Sequence, residues 1–119
     1  MKEIQATQAL GALAQPTRLA VFRLLVREGP QGLPAGEVAE KVGVQPATLS
    51  FHLAQLERAG LLVSKRQSRQ IFYAADFAAM RSLVGFLLDD CCHGRPEICE
   101  GLGQAAAAKR RVQSEKERV

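Results

Sequence analysis

The three cysteines of this 119-residue chain all fall in the segment Cys91-Cys92-His93-Gly94-Arg95-Pro96-Glu97-Ile98-Cys99. Thiolates are soft ligands and select soft ions. Three of them match trivalent arsenic or antimony, which form three pyramidal bonds and keep a lone pair. Their three charges also cancel those of the bound centre. Zinc prefers four tetrahedral ligands and would recruit His93 beside Cys99 and one of the pair; cadmium and lead are further soft ions open to this set. A redox sensor is also open, with Cys99 taking part because adjacent cysteines bridge poorly. In a constitutive protein the three thiols would be incidental. Adjacent ligands in a regular helix point about 100° apart. Cys91 and Cys92 therefore reach one ion only if the helix end unwinds, which Gly94 and Pro96 permit. Binding then needs local reorganisation, and that is how a small ligand shifts a larger structure. Asp89 and Asp90 disfavour negative charge nearby and should keep the free thiols protonated.

An odd cysteine count argues against a disulfide framework. No Cys-His-Asp relay, P-loop or Gly-rich cofactor loop is visible, so no enzyme is expected. No apolar run reaches the roughly 20 residues that span a membrane, and the N-terminus lacks the apolar core of a signal peptide. The expected location is the cytoplasm, with no membrane partner. The net charge of +4 is mild, but its distribution is not even. Residues 45–75 carry Arg58, Lys65, Arg66 and Arg69 against Glu57 alone, and the tail adds Lys109, Arg110, Arg111, Lys116 and Arg118. Such a stripe is either a solvated face or a nucleic-acid footprint.

The elements that must position these groups follow from periodicity. Residues 3–14 form a helix with Ile4, Ala9, Leu10 and Leu13 on one side. Gln15-Pro16 starts a second, because proline suits the first helical position; Leu19, Phe22, Leu25 and Val26 are its apolar set. Gly29-Pro30 ends it, and Gln31 to Pro34 is read as a loop. A short helix spans about 35–42, with Val38, Ala39 and Val42 inward, and Gly43 makes the turn. Gln45-Pro46 opens the next helix, which runs to Arg58 or Ala59 with Leu49, Leu53 and Leu56 as its buried stripe and Gly60 as its cap. Residues 61–66 and 70–74 alternate as two strands around the polar turn Gln67-Ser68-Arg69. Asp76 caps a last helix whose apolar face runs through Phe77, Met80, Leu83, Val84, Leu87, Leu88 and Cys91.

Short helix, glycine turn, second helix and basic hairpin make a mainly α, winged helix-turn-helix fold with a two-stranded β-wing. The second helix would enter the major groove with the face opposite its leucines. That selects Ala47, Thr48, Ser50, Phe51 and Gln55, with Gln45 at the N-cap. Thr48, Ser50, Gln45 and Gln55 can hydrogen-bond base edges or phosphates, and Phe51 can touch a thymine methyl. Lys65, Arg66 and Arg69 on the wing would meet backbone or minor groove, which sets affinity more than sequence choice. His52 reads first as a half-buried histidine bonded within the fold, and second as a DNA contact. Tyr73 reads chiefly as wing packing.

The string from Gln45 through Leu62, QPATLSFHLAQLERAGLL, resembles the recognition segment of the ArsR/SmtB family of metal-responsive repressors. Gln15-Pro16-Thr17-Arg18-Leu19 and Arg69-Gln70-Ile71-Phe72-Tyr73 resemble that family too, over residues 4–92. The resemblance implies a homodimer joined by its first and last helices, bound to double-stranded operator DNA until an inducer releases it. Family arsenic sensors often carry a cysteine pair before the recognition helix, where this chain has Leu33-Pro34-Ala35-Gly36-Glu37-Val38-Ala39-Glu40. The zinc sensors' Asp/His set on the last helix is not matched by Asp76, Asp89 and Asp90. Cys91, Cys92 and Cys99 resemble instead an arsenic-responsive subgroup with three C-terminal cysteines. The implied inducer is As(III) or Sb(III), with no permanent cofactor. The expected organisation is residues 1–92 for DNA binding and dimerisation, 91–99 for the inducer, and 100–119 as a basic, partly disordered tail.

Overall fold

The computed structural model describes residues 1–89; the cysteine segment and the basic tail lie outside them. The elements are α1 (Glu3–Leu13), α2 (Pro16–Glu28), β1 (Leu33–Pro34), α3 (Ala35–Val42), α4 (Pro46–Arg58), β2 (Leu62–Gln67), β3 (Gln70–Ala75) and α5 (Phe77–Leu88). Residues Met1–Phe86 form one unit; a second begins at Leu87.

Both Gln-Pro pairs start helices. Pro16 and Pro46 occupy first-turn positions where no N–H is missed. Gln15 Oε1 accepts from the Arg18 backbone N–H at 2.8 Å, satisfying one of the orphan donors of α2. Between α3 and α4 the N–H groups of Gly43 and Val44 both donate to the Ala39 carbonyl, at 2.8 and 3.1 Å. At the far end of α4 the N–H of Gly60 reaches the Glu57 carbonyl and that of Leu61 the Leu56 carbonyl, each at 3.0 Å. Gly60 has φ +82°, and Leu56 and Leu61 are both buried. This is a Schellman ending with its hydrophobic contact. It turns the chain from α4 straight into the β2–β3 hairpin. Asp76 Oδ1 accepts from the Ala79 N–H at 3.0 Å, the expected cap of α5.

The core is built from Val21, Phe22 and Leu25 of α2, Val38 and Ala39 of α3, and Leu49, Leu53 and Leu56 of α4. Leu61 and Leu62 close it from the start of the wing, with Ala6, Ala9 and Leu83 from α1 and α5. Helix α1 packs through small residues: Ala6 and Ala9 are buried, whereas Ile4 is 66% exposed and Leu10 is also exposed. The expected side of Ile4, Ala9, Leu10 and Leu13 is therefore split. Leu19 is likewise exposed, and Val21 takes its place inside α2. On α5 only Leu83 is buried; Phe77 and Met80 pack partly against the core, and Val84 and Leu87 are half exposed. Apolar spacing identified these helices but not which apolar stripe a single chain buries.

The sheet has three strands, in the order β1-β3-β2 and antiparallel throughout, rather than two. The stretch read as a loop pairs Leu33 with Tyr73 and Pro34 with Phe72. Leu33 is buried, and a two-residue edge strand tolerates proline. Gly32 makes the approach possible: a Cβ there, at φ +69°, would stand 2.2 Å from the Tyr73 carbonyl oxygen. The wing turn is the pair Ser68-Arg69, closed by Gln67 opposite Gln70, one residue tighter than expected. Ser68 holds φ +57° to make it.

Candidate nucleic-acid interface

Helix α4 buries Leu49, His52, Leu53 and Leu56. Ala47, Thr48, Ser50 and Phe51 are all exposed, as is Gln45 before them. Phe51 is 57% exposed, an unusual place for a large aromatic that has a core beside it. Helical geometry puts Ala47, Phe51, Ala54 and Arg58 at the centre of the outward face, with Thr48 and Ser50 on its two flanks. Gln45 makes no side-chain cap bond, unlike Gln15. Its amide, together with the positive end of the α4 dipole, faces solvent ready for an anionic partner. Gln55 differs from the other expected residues. It is part-buried and lines a cleft with Gln8 and Arg18, apart from the N-terminal half of α4. Ala54 was not singled out from the sequence and Arg58 only as part of the basic stripe, although the same periodicity puts both on this face.

His52 is 8% exposed, and its partner is Arg18 of α2. Arg18 Nη1 stands 3.3 Å from His52 Nδ1, while Arg18 Nε donates to the Ala12 carbonyl at 2.7 Å. A guanidinium can only donate, so Nδ1 accepts and the imidazole is neutral. Its pKa lies below the ordinary value of 6.5, first because burial penalises the charged form, then because Arg18 is beside it. One guanidinium thus covers a carbonyl at the negative end of α1 and anchors the inner side of α4. The histidine expected to bond within the fold does so, and more deeply than half-buried. The His52 ring also meets Phe51 edge-on, with centroids 5.7 Å apart. The inner anchor and the outward aromatic of α4 are therefore in contact. Arg18 itself carried no signal beyond the start of α2; only the fold brings it to His52.

The wing joins α4 through a second tie. Ser64 Oγ donates to Glu57 Oε2 at 2.6 Å. Tyr73, the register partner of Ser64, has its pKa raised above 10.0 by burial and then by Glu57. The lone acid of the basic stretch thus fixes the wing to the recognition helix. Lys65, Arg66 and Arg69 are all exposed and make no ion pair with the described residues, where Lys41 with Glu28 is the pair present. Strand alternation separates the first two. Lys65 shares a face with its partner Phe72, and Arg66 the opposite face with Ile71. Arg69 sits in the turn. The cations expected to act together therefore point in different directions. The expected ligands Cys91, Cys92 and Cys99 lie outside the described residues.

A helix-turn-helix domain family matches residues 13–65. The chain is 39% identical to the HTH-type transcriptional regulator NmtR of Mycobacterium tuberculosis over 98 residues, covering 82% of this chain and 76% of that protein. It is 34% identical to the nodulation protein NolR of Rhizobium meliloti over 80 residues, covering 67% of this chain and 63% of NolR. Among solved structures it matches a homodimeric winged helix-turn-helix DNA-binding domain from Mycobacterium bovis, described as a possible ArsR-family transcriptional regulator. That likeness has a TM-score of 0.57 at 26% identity, over 72% of this chain and 80% of the other.

Proposed function

The chain belongs to the ArsR/SmtB-type winged helix-turn-helix transcriptional regulators, and we propose that it is an operator-binding homodimeric repressor induced by trivalent arsenic or antimony. It is a regulator by fold and kinship, not an enzyme. The observation that carries the DNA reading is the outward surface of α4, with Phe51 exposed between Thr48, Ser50 and Ala47, beside a wing whose cations have no ion-pair partner among the described residues. Phosphates would take Lys65, Arg66 and Arg69, giving affinity; base edges would take Gln45, Thr48 and Ser50, giving choice. Gln55 would contribute less to the bases than its spacing implied.

Dimerisation is supported by apolar surface that the single chain leaves uncovered, including Ile4 and Leu10 of α1 and Val84 of α5. The Mycobacterium bovis neighbour is itself homodimeric. A two-fold dimer would impose an imperfect palindrome on the operator. A monomeric mass at micromolar concentration would contradict this.

The inducer reading rests on the donor set Cys91, Cys92 and Cys99. Arsenous acid is neutral at pH 7, and its exchange with three protonated thiols releases three waters and no net proton. Zinc would have to displace thiol protons. His93 within the cluster favours zinc, or cadmium or lead, as the second reading; disulfide exchange through Cys99 is a third. Mobility-shift titration of an operator fragment with arsenite, zinc and peroxide separates the three.

A further inference from the structure

A cleft of about 330 Å³ opens where α1, the start of α2 and the end of α4 meet. Gln8 and Gly11 line it from α1, Arg18 from α2, and Gln55 and Arg58 from α4. Its volume falls at the lower end of the range for small-molecule sites, roughly 300–1,000 Å³. Two guanidinium side chains and two primary amides converge on it, and among the described residues no carboxylate lines it. Arg58 forms no ion pair with the described residues. Arg18 uses one N–H on Ala12 and one on His52, out of five on a guanidinium. Forked guanidinium donors next to amide donors are the chemistry that recognises a carboxylate or phosphate group.

We propose that this cleft is a second ligand site, separate from the thiol segment, which takes a small oxyanion bearing a carboxylate or phosphate group. The site reports to the DNA surface through Arg18. An anion held between Arg18 and Arg58 takes N–H groups that Arg18 leaves free, and its pull on the guanidinium stretches the 3.3 Å contact with His52 Nδ1 that seats α4. Occupancy therefore loosens His52 and lowers operator affinity.

The test is run on the full chain, free of DNA, so that it stands or falls apart from the operator reading. Inorganic phosphate and succinate are titrated at constant ionic strength while the arginine Nε–H and histidine ring signals are followed by NMR. Saturable shifts confined to Arg18, Arg58 and His52 are expected with at least one of the two anions; which one saturates distinguishes phosphate from carboxylate ligands. Arg58→Gln should weaken that binding roughly tenfold, the usual effect of losing one charged hydrogen bond. Gly11→Leu projects into the cleft from a position where an added Cβ meets nothing within 4 Å, and should abolish saturation while the thermal melt shows the fold intact. Shifts that grow linearly without saturating, or that persist unchanged in Gly11→Leu, overturn the proposal. So does a Gly11→Leu protein that loses its dimer mass while no anion saturates the wild type, because the cleft then belongs to the contact between copies.

Discussion

Arg18 Nη1 stands 3.3 Å from His52 Nδ1, so the histidine inside the recognition helix, kept neutral first by burial, takes its hydrogen bond from a residue two helices away. Stability should then depend on pH in one direction. The folded pKa of His52 is lowered from 6.5, so below 6.5 the unfolded chain takes up a proton that the folded chain resists. Stability from this group is fully present above 6.5 and declines as the pH falls from there towards the folded pKa. Urea midpoints between pH 7.5 and 5 should show that decline. His52→Asn, which keeps an acceptor and removes the titration, should flatten it within the Met1–Phe86 unit.

Arg18→Ala leaves the Ala12 carbonyl and the His52 ring without their donor. A cost of about 1–3 kcal/mol is expected for such partly buried groups, together with weaker operator binding because α4 loses its inner anchor. Denaturant unfolding and operator titration of one variant check both. Unchanged stability would mean that water replaces the guanidinium at no cost.

The chain has a single tyrosine, which makes the tie between wing and helix measurable. Tyr73 should titrate above 10.0, chiefly through burial and secondly through Glu57. Glu57→Gln should lower its pKa part of the way, not fully, and leave Ser64 with a weaker, neutral acceptor. Phenolate absorbance against pH reads this directly; no change in the variant would place Glu57 away from the ring.

On the wing, Lys65→Ala, Arg66→Ala and Arg69→Ala should each weaken binding to all DNA sequences. A lost phosphate contact lowers the salt slope by about 0.9. Because Lys65 and Arg66 point to opposite faces of the ribbon, their losses should be unequal. Thr48→Ala or Ser50→Ala should instead reduce discrimination between operator and random DNA, by about 1–3 kcal/mol where a bidentate base contact is lost. Salt-dependent operator titrations distinguish the two patterns.

Two glycines should respond with opposite signs. Gly32→Ala drives a Cβ into the Tyr73 carbonyl, 2.2 Å away, and should open the pairing of β1 with β3 at a clear loss of stability. Gly36, in the first turn of α3, has nothing within 4 Å of an added Cβ. Gly36→Ala should be neutral or stabilising by up to about 0.5 kcal/mol. Paired thermal melts decide it.

The order of elements was legible because its signals are local. Proline at Pro16 and Pro46, glycine at Gly60 and the leucine stripe of α4 each act within a few residues. The exposed set Ala47, Thr48, Ser50 and Phe51 followed from the same stripe. What was not legible depends on pairings distant in sequence. The third strand arises from Leu33 meeting Tyr73, the burial of His52 from Arg18, and the tether of the wing from Glu57 reaching Ser64. Periodicity also could not say that α1 packs by Ala6 and Ala9 and leaves Ile4 outside. Gln55 has helical spacing compatible with the DNA face, and only the approach of α1 shows that it lines a cleft.

The central claim is that trivalent arsenic releases this repressor from DNA through three thiols. Operator release is titrated with arsenite and with zinc, on the wild type and on Cys91→Ser, Cys92→Ser and Cys99→Ser. The account predicts release of the wild type by arsenite, with an affinity nearly constant between about pH 6 and 7.5 while the thiols stay protonated. Each serine variant should bind DNA normally and resist arsenite, and His93→Ala should respond as the wild type does. Wild-type protein that stays on the operator in excess arsenite, yet leaves it with zinc, would contradict the account.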